Sequence, residues 1–178
     1  RPDLARRVAA EGHEVGVHGF RHERLTELGP AGIRRETAVA RRELKRVVGV
    51  KPHWFRPPFG AQSLRTFVAT RLQGMDVAVW AVSVRDAFTT EGIEIGAGSG
   101  RGLMFRVGGL DMPLSPGGIL LLHDAPAPED PADAAARKIA LVGRILDEVH
   151  GVGGRVVTVT ELLRHGAADW RSWRSPGY

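Results

Sequence analysis

The chain has 178 residues, 43% hydrophobic and 25% charged, with a formal charge of +5 and no cysteine. That length carries one ordinary domain with a substantial core, and the lack of cysteine excludes disulfides, thiolate metal sites and a cysteine nucleophile. No apolar run approaches the roughly 20 residues of a membrane-spanning helix, and the basic excess, with no zinc-finger spacing and no aromatic RNA-binding motif, reads as a solvated arginine-rich surface rather than a nucleic-acid footprint. The first residue is Arg1, and no secretory signal is visible at the start, so the sequence leaves localisation unknown.

In chain order, "PDLARRVAAE" (2–11) predicts a short helix, with Pro2 in its first turn, Leu4 and Val8 on one face and Gly12 as its stop. "HEVGVH" (13–18) predicts a strand. Residues 31–48 predict a long amphipathic helix, with Ile33, Ala40, Leu44, Val47 and Val48 inward and Gly49 after it. "HWFR" is a short strand running into the rigid turn "PPFG". Residues 63–73 predict a helix with Leu64, Phe67, Val68 and Leu72 inward, and "VAVWAVS" (77–83) a continuous buried strand. The glycine-rich stretch 87–117 reads as loop with one short helix. "GGILLLHD" predicts another buried strand, 132–149 a helix, "RVVTVT" (155–160) a strand and "ELLRHG" a closing helix. Alternation of strand and helix predicts an α/β architecture with a parallel sheet or barrel. One domain is expected over 1–165, followed by a tail over 166–178.

In such folds, functional residues collect where strands end. His18 ends the first predicted strand, with His22 four residues on. Arg56 ends the second, Asp86 follows "VAVWAVS", and His123 and Asp124 end "ILLLHD". If a helical turn begins at His18, its ring and that of His22 fall on one face and share one ion. Each residue also has a plain structural reading: surface imidazoles, an ion-paired arginine, a loop or capping aspartate, a core histidine.

The series "GHEVGVHGFRH", "FRPPFG", "VWAVSVRDA" and "GGILLLHD", closing with "GRVVTVTELL", resembles the polysaccharide deacetylase family, also called the NodB-homology or carbohydrate esterase 4 family. The resemblance runs from about Pro2 to Leu163 and implies a distorted (β/α) barrel. It implies hydrolysis of acetyl groups from sugars, most often N-acetyl from N-acetylglucosamine polymers such as chitin or peptidoglycan. By this match His18 and His22 bind a divalent metal, zinc first, with cobalt or another divalent ion as alternatives. Arg56, Pro58 and Gly60 match the Arg-x-Pro-x-Gly motif, whose arginine orients a catalytic aspartate, and the Phe59 N–H helps to hold the oxyanion. Leu121 lines the acetyl-methyl pocket, His123 is the general acid and Asp86 is its carboxylate partner. The chemistry is coherent: a bound divalent ion activates water and polarises the carbonyl, and the leaving amine needs a proton donor. The implied partner is an acetylated carbohydrate, and the resemblance alone suggests an extracellular or cell-surface setting.

Three departures stand beside the match. The family's Asp-Asp motif, which supplies the general base and a third metal ligand, occurs nowhere in the 178 residues. The first strand-helix unit of the barrel is therefore expected to be absent, and the chain as given to be inactive. Ser83 and Ala87 replace an aspartate and a tryptophan common in the fourth motif. Other readings stay open: an O-acetyl esterase, an amidohydrolase acting on a cyclic amide, or a non-catalytic sugar-binding remnant.

Overall fold

A computed structural model describes residues 1–124 and 132–166 of the chain; the tail expected over 166–178 therefore lies, beyond Gly166, outside the described residues. The fold is α/β, organised as two compact units. One takes Arg1–Val79 together with the chain from Thr158 onward; the other is Trp80–Val157.

In the first unit, α1 (Pro2–Ala10) opens with Pro2 where its missing N–H costs nothing, and Gly12 at φ +89 lets the chain turn away. Helix α2 (Pro30–Val48) begins at Pro30 and stops at Gly49, whose left-handed φ of +81 lets its N–H cap the Lys45 carbonyl. Its buried stripe is Ile33, Glu36, Thr37 and Ala40, at the 3–4–7 spacing of one helix face. Helix α3 (Leu64–Arg71) is fixed by a capping box between Ser63 and Thr66. Strands β1 (Trp54–Phe55) and β2 (Asp76–Val77) flank α3 and pair in parallel, so this stretch is a β–α–β unit. Val17, Leu25, Ile33, Ala40, Phe55 and Met75 form the core between them. Helix α5 (Val159–His165) belongs here too: the Trp54 indole N–H donates to the Thr160 hydroxyl, 3.0 Å away.

In the second unit, β3 (Val82–Ser83) and β7 (Leu120–Leu121) pair in parallel. Strands β4 (Ile93–Ala97), β5 (Leu103–Val107) and β6 (Leu110–Leu114) form an antiparallel meander. Helix α4 (Ala134–Gly151) turns Leu141 and Ile145 inward, and they close the core with Val82, Val84, Ile93, Leu103 and Phe105.

Five expectations are corrected. "HEVGVH" makes only an isolated bridge, Val17 to Phe55, rather than a strand. The run 77–83 is not continuous: Val77 ends one pairing and Val82 starts another, so Ala78–Ala81 lie outside any ladder. The glycine-rich stretch is the meander rather than loop, because Gly108 and Gly109, both at positive φ, join Val107 to its partner Leu110 as a two-residue hairpin turn. No strand forms over 155–160, because the Thr158 hydroxyl accepts from the Glu161 N–H at 3.1 Å and starts a helix instead. On α3 the buried residues are Thr66 and Thr70, while Leu64, Val68 and Leu72 are exposed. Both hydroxyls are satisfied within the helix region, Thr66 on the Ser63 carbonyl and Thr70 on the Thr66 carbonyl, which removes the penalty for burying them.

Candidate active site

The first cluster grows from the bridge at Val17. The Val17 N–H donates to the Trp54 carbonyl and the Arg56 N–H to the Val17 carbonyl, both at 2.8 Å, so His18 and Arg56 leave adjacent chains side by side. His18 Nδ1 lies 2.7 Å from the Arg56 carbonyl oxygen. A carbonyl only accepts, so this contact puts the ring proton on Nδ1 and leaves the lone pair of a neutral imidazole on Nε2. That is the tautomer a metal-ligating histidine needs, oriented by a backbone carbonyl.

After His18 the chain turns sharply at Gly19, at φ +82, where a Cβ would stand 3.3 Å from Pro58 Cγ. His22 also takes a left-handed φ, +57. The two rings meet edge to face with centroids 4.9 Å apart. The helical turn expected to align them is therefore replaced by a loop, since two left-handed residues cannot continue a right-handed helix. What holds the loop is Glu36 of α2, buried, whose carboxylate accepts from the N–H groups of Phe20 (3.2 Å) and Arg21 (3.0 Å).

Pro58–Gly60 forms a 3₁₀ turn with Pro58 and Gly60 buried and Phe59 at φ +58. The Phe59 ring packs against His22, centroids 4.6 Å apart, and the Arg24 guanidinium sits 4.8 Å from its centre. Arg56 donates from Nε to the Ala78 carbonyl at 3.2 Å, and burial, which disfavours its charge, pushes its pKa below the usual arginine range. Thus His18, His22, Arg56, Pro58, Phe59 and Gly60 all fall in the first unit.

The second cluster lies within the other unit. Arg85 takes φ +57 and turns the next residue, Asp86, into the interior. The Asp86 carboxylate meets His123 twice: Oδ2 accepts from the His123 backbone N–H at 2.7 Å and Oδ1 lies 3.0 Å from Nδ1. A carboxylate that accepts from Nδ1 leaves Nε2 as the outward-facing atom of a ring whose side chain is 44% exposed. Leu121, two residues back on β7, is buried opposite Ser83. Behind Asp86 stands Lys138 of α4, also buried, whose ammonium donates to the Asp86 carbonyl at 2.7 Å.

Glu36 and Lys138 are the polar residues that sequence reasoning missed. Both left a signal: each is a charged residue on the inward stripe of an amphipathic helix, Glu36 three residues past Ile33 and Lys138 three before Leu141. Among the described residues, no group of three His, Asp or Glu side chains is placed to hold a metal ion. The two imidazoles are thus the site's available donors, chemically suited to zinc and similar ions but fewer than a protein site ordinarily supplies.

Residues 1–78 match the family model described as polysaccharide deacetylase. The chitooligosaccharide deacetylase of Sinorhizobium fredii is 27% identical over 158 residues, covering 86% of this chain and 68% of that protein. Across the first curated relatives the chain spans 44% to 68% of their length. Among solved structures, a T48 deacetylase with substrate is 25% identical and superposes with a TM-score of 0.66 over 92% of this chain and 71% of that one. BA3943, a family 4 carbohydrate esterase pseudoenzyme from Bacillus anthracis, shares the fold at 17% identity, with a TM-score of 0.65 over 91% of this chain and 50% of its own. In motif order, fold and relatives the chain is similar to the polysaccharide deacetylases, whose fold is of the NodB type.

Proposed function

We propose that the chain belongs to a metal-dependent deacetylase that removes N-acetyl groups from N-acetylglucosamine-containing carbohydrate, built on a distorted (β/α) barrel. The observation that carries this reading is the two-point contact between buried Asp86 and His123. A histidine anchored at its backbone and at Nδ1 offers Nε2 in one orientation, which is what a proton donor to a departing amine requires. The relatives named for deacetylation of chitooligosaccharide and peptidoglycan N-acetylglucosamine support the substrate class.

His18 and His22 would hold a divalent ion, zinc first. Such an ion supplies Lewis-acid polarisation of the acetyl carbonyl and an activated water. The chain's own part is specific. His18 is held as the Nε2-ligating tautomer by the Arg56 carbonyl. The Phe59 ring packs at a tilt against His22, and its N–H is the group assigned to the oxyanion. Leu121 offers an apolar wall for the acetyl methyl. Asp86 holds His123 at its backbone N–H and Nδ1, and His123 gives a proton from Nε2 to the departing amine and takes a replacement from solvent. A general base and a further ligand are still required, and the Asp-Asp motif that the resemblance assigns to both is not in the 178 residues.

The second reading is a sugar-binding protein without turnover; a pseudoenzyme shares the fold. Acetate release separates the readings. The full-length gene product, incubated with a chitin oligosaccharide and with acetylated xylan, is expected to release acetate from the first. Release from xylan alone would make it an O-acetyl esterase, and release from neither, with retained oligosaccharide binding, would make it a binding protein.

A further inference from the structure

Helix α4 turns Ala134, Lys138, Leu141 and Ile145 toward the interior of its unit, and three of these four are apolar. A lysine in that stripe is costly, because its charge leaves water. Its side chain is 7% exposed and that of Asp86 2%. Among the described residues the cost is offset at Asp86: Nζ donates to the Asp86 carbonyl at 2.7 Å and lies 3.7 Å from Asp86 Oδ2, the oxygen that also accepts from the His123 N–H. Lysine, carboxylate and histidine therefore form one chain across the unit, from α4 to the end of β7. An apolar residue at 138 would fill the stripe equally well, so packing alone does not account for a lysine there.

We propose that Lys138 is a positioning residue for His123, acting through Asp86. It fixes the backbone of Asp86 at the turn made by Arg85 and balances the buried carboxylate. Oδ1 is then held against Nδ1 and His123 presents Nε2 outward. This rests on His123 being the proton donor of the proposed deacetylase.

The test uses Lys138→Met, which keeps volume and removes charge, Lys138→Arg, which keeps charge, Asp86→Asn, and the Met/Asn double variant, all in the full-length gene product. Two readouts are taken: acetate release and the ¹⁵N shifts of the His123 ring. Lys138→Met is expected to lower kcat about tenfold or more with KM nearly unchanged, and to lose the hydrogen-bonded Nδ1–H signature. Lys138→Arg is expected to restore both in part. The double variant is expected to be no slower than Asp86→Asn alone, because two residues acting through one contact do not add. Unchanged kcat and ring shifts in Lys138→Met, or additive losses in the double variant, would overturn the proposal. If Lys138→Met does not fold, Lys138→Gln replaces it with the same expectations. If wild type releases no acetate at all, the deacetylase reading fails, and the ring shifts still decide whether Lys138 orders His123.

Discussion

Two N–H groups of the loop that carries His18 and His22, those of Phe20 and Arg21, end on a single buried carboxylate, Glu36. Charge-assisted bonds of this kind are stronger than neutral ones, and their loss leaves two donors unsatisfied near the core. Glu36→Ala is expected to cost about 2–3 kcal/mol, measured by urea unfolding, and to weaken zinc binding by the histidine pair in the same protein. Glu36→Gln, which can still accept, is expected to lose less. Single residues of this kind also mark where sequence reading ends. The candidate ligands are visible as a His-x-x-x-His spacing, but the spacing suggests a helical turn, and the rings meet instead through a loop with left-handed residues at Gly19 and His22. Backbone sign is not written in a histidine, so the mode of approach was not legible although the pair was.

At the scale of elements, the meander β4–β5–β6 supplies Ile93, Leu103 and Phe105 to the core of its unit. Phe105→Ala is expected to cost about 3–5 kcal/mol and to appear as a lowered thermal midpoint. Across β5 and β6, Arg106 and Asp111 are direct partners, and the guanidinium hydrogen bond, 2.6 Å from Nε to Oδ1, holds the exposed Asp111 carboxyl below its usual range. A carboxyl with a lower pKa folded than unfolded stabilises above the ordinary carboxylate range, and that stability is lost as pH falls through the lowered value. Asp111→Asn should therefore flatten the acid-side fall of the thermal midpoint, by a small amount because the pair is exposed. The helices α1 and α2 were legible because period, proline starts and glycine stops agree, and α4 through its apolar period alone. The meander was not, because glycine count outweighed two local cues: the alternation in "LMFRV" and the Gly108–Gly109 pair that a two-residue hairpin favours. Likewise "TVTE" reads as strand by composition, yet its Thr-x-x-Glu spacing is a helix start.

For the whole molecule, the likeness to polysaccharide deacetylases lies in motif order, fold and relatives together, while the proposed reaction rests on two clusters, His18–His22 with Arg56 and Asp86–His123 with Lys138. The account gives them separate tasks, metal holding and proton donation, and that division is its central claim. The most direct measurement is zinc content beside acetate release from a chitin oligosaccharide, for the full-length gene product and its His18→Ala and His123→Ala variants. The account predicts about one divalent ion per chain in wild type, loss of both metal and turnover in His18→Ala, and retained metal with lost turnover in His123→Ala. A full-length protein that holds no metal and releases no acetate, or a His123→Ala variant that turns over at the wild-type rate, would contradict it.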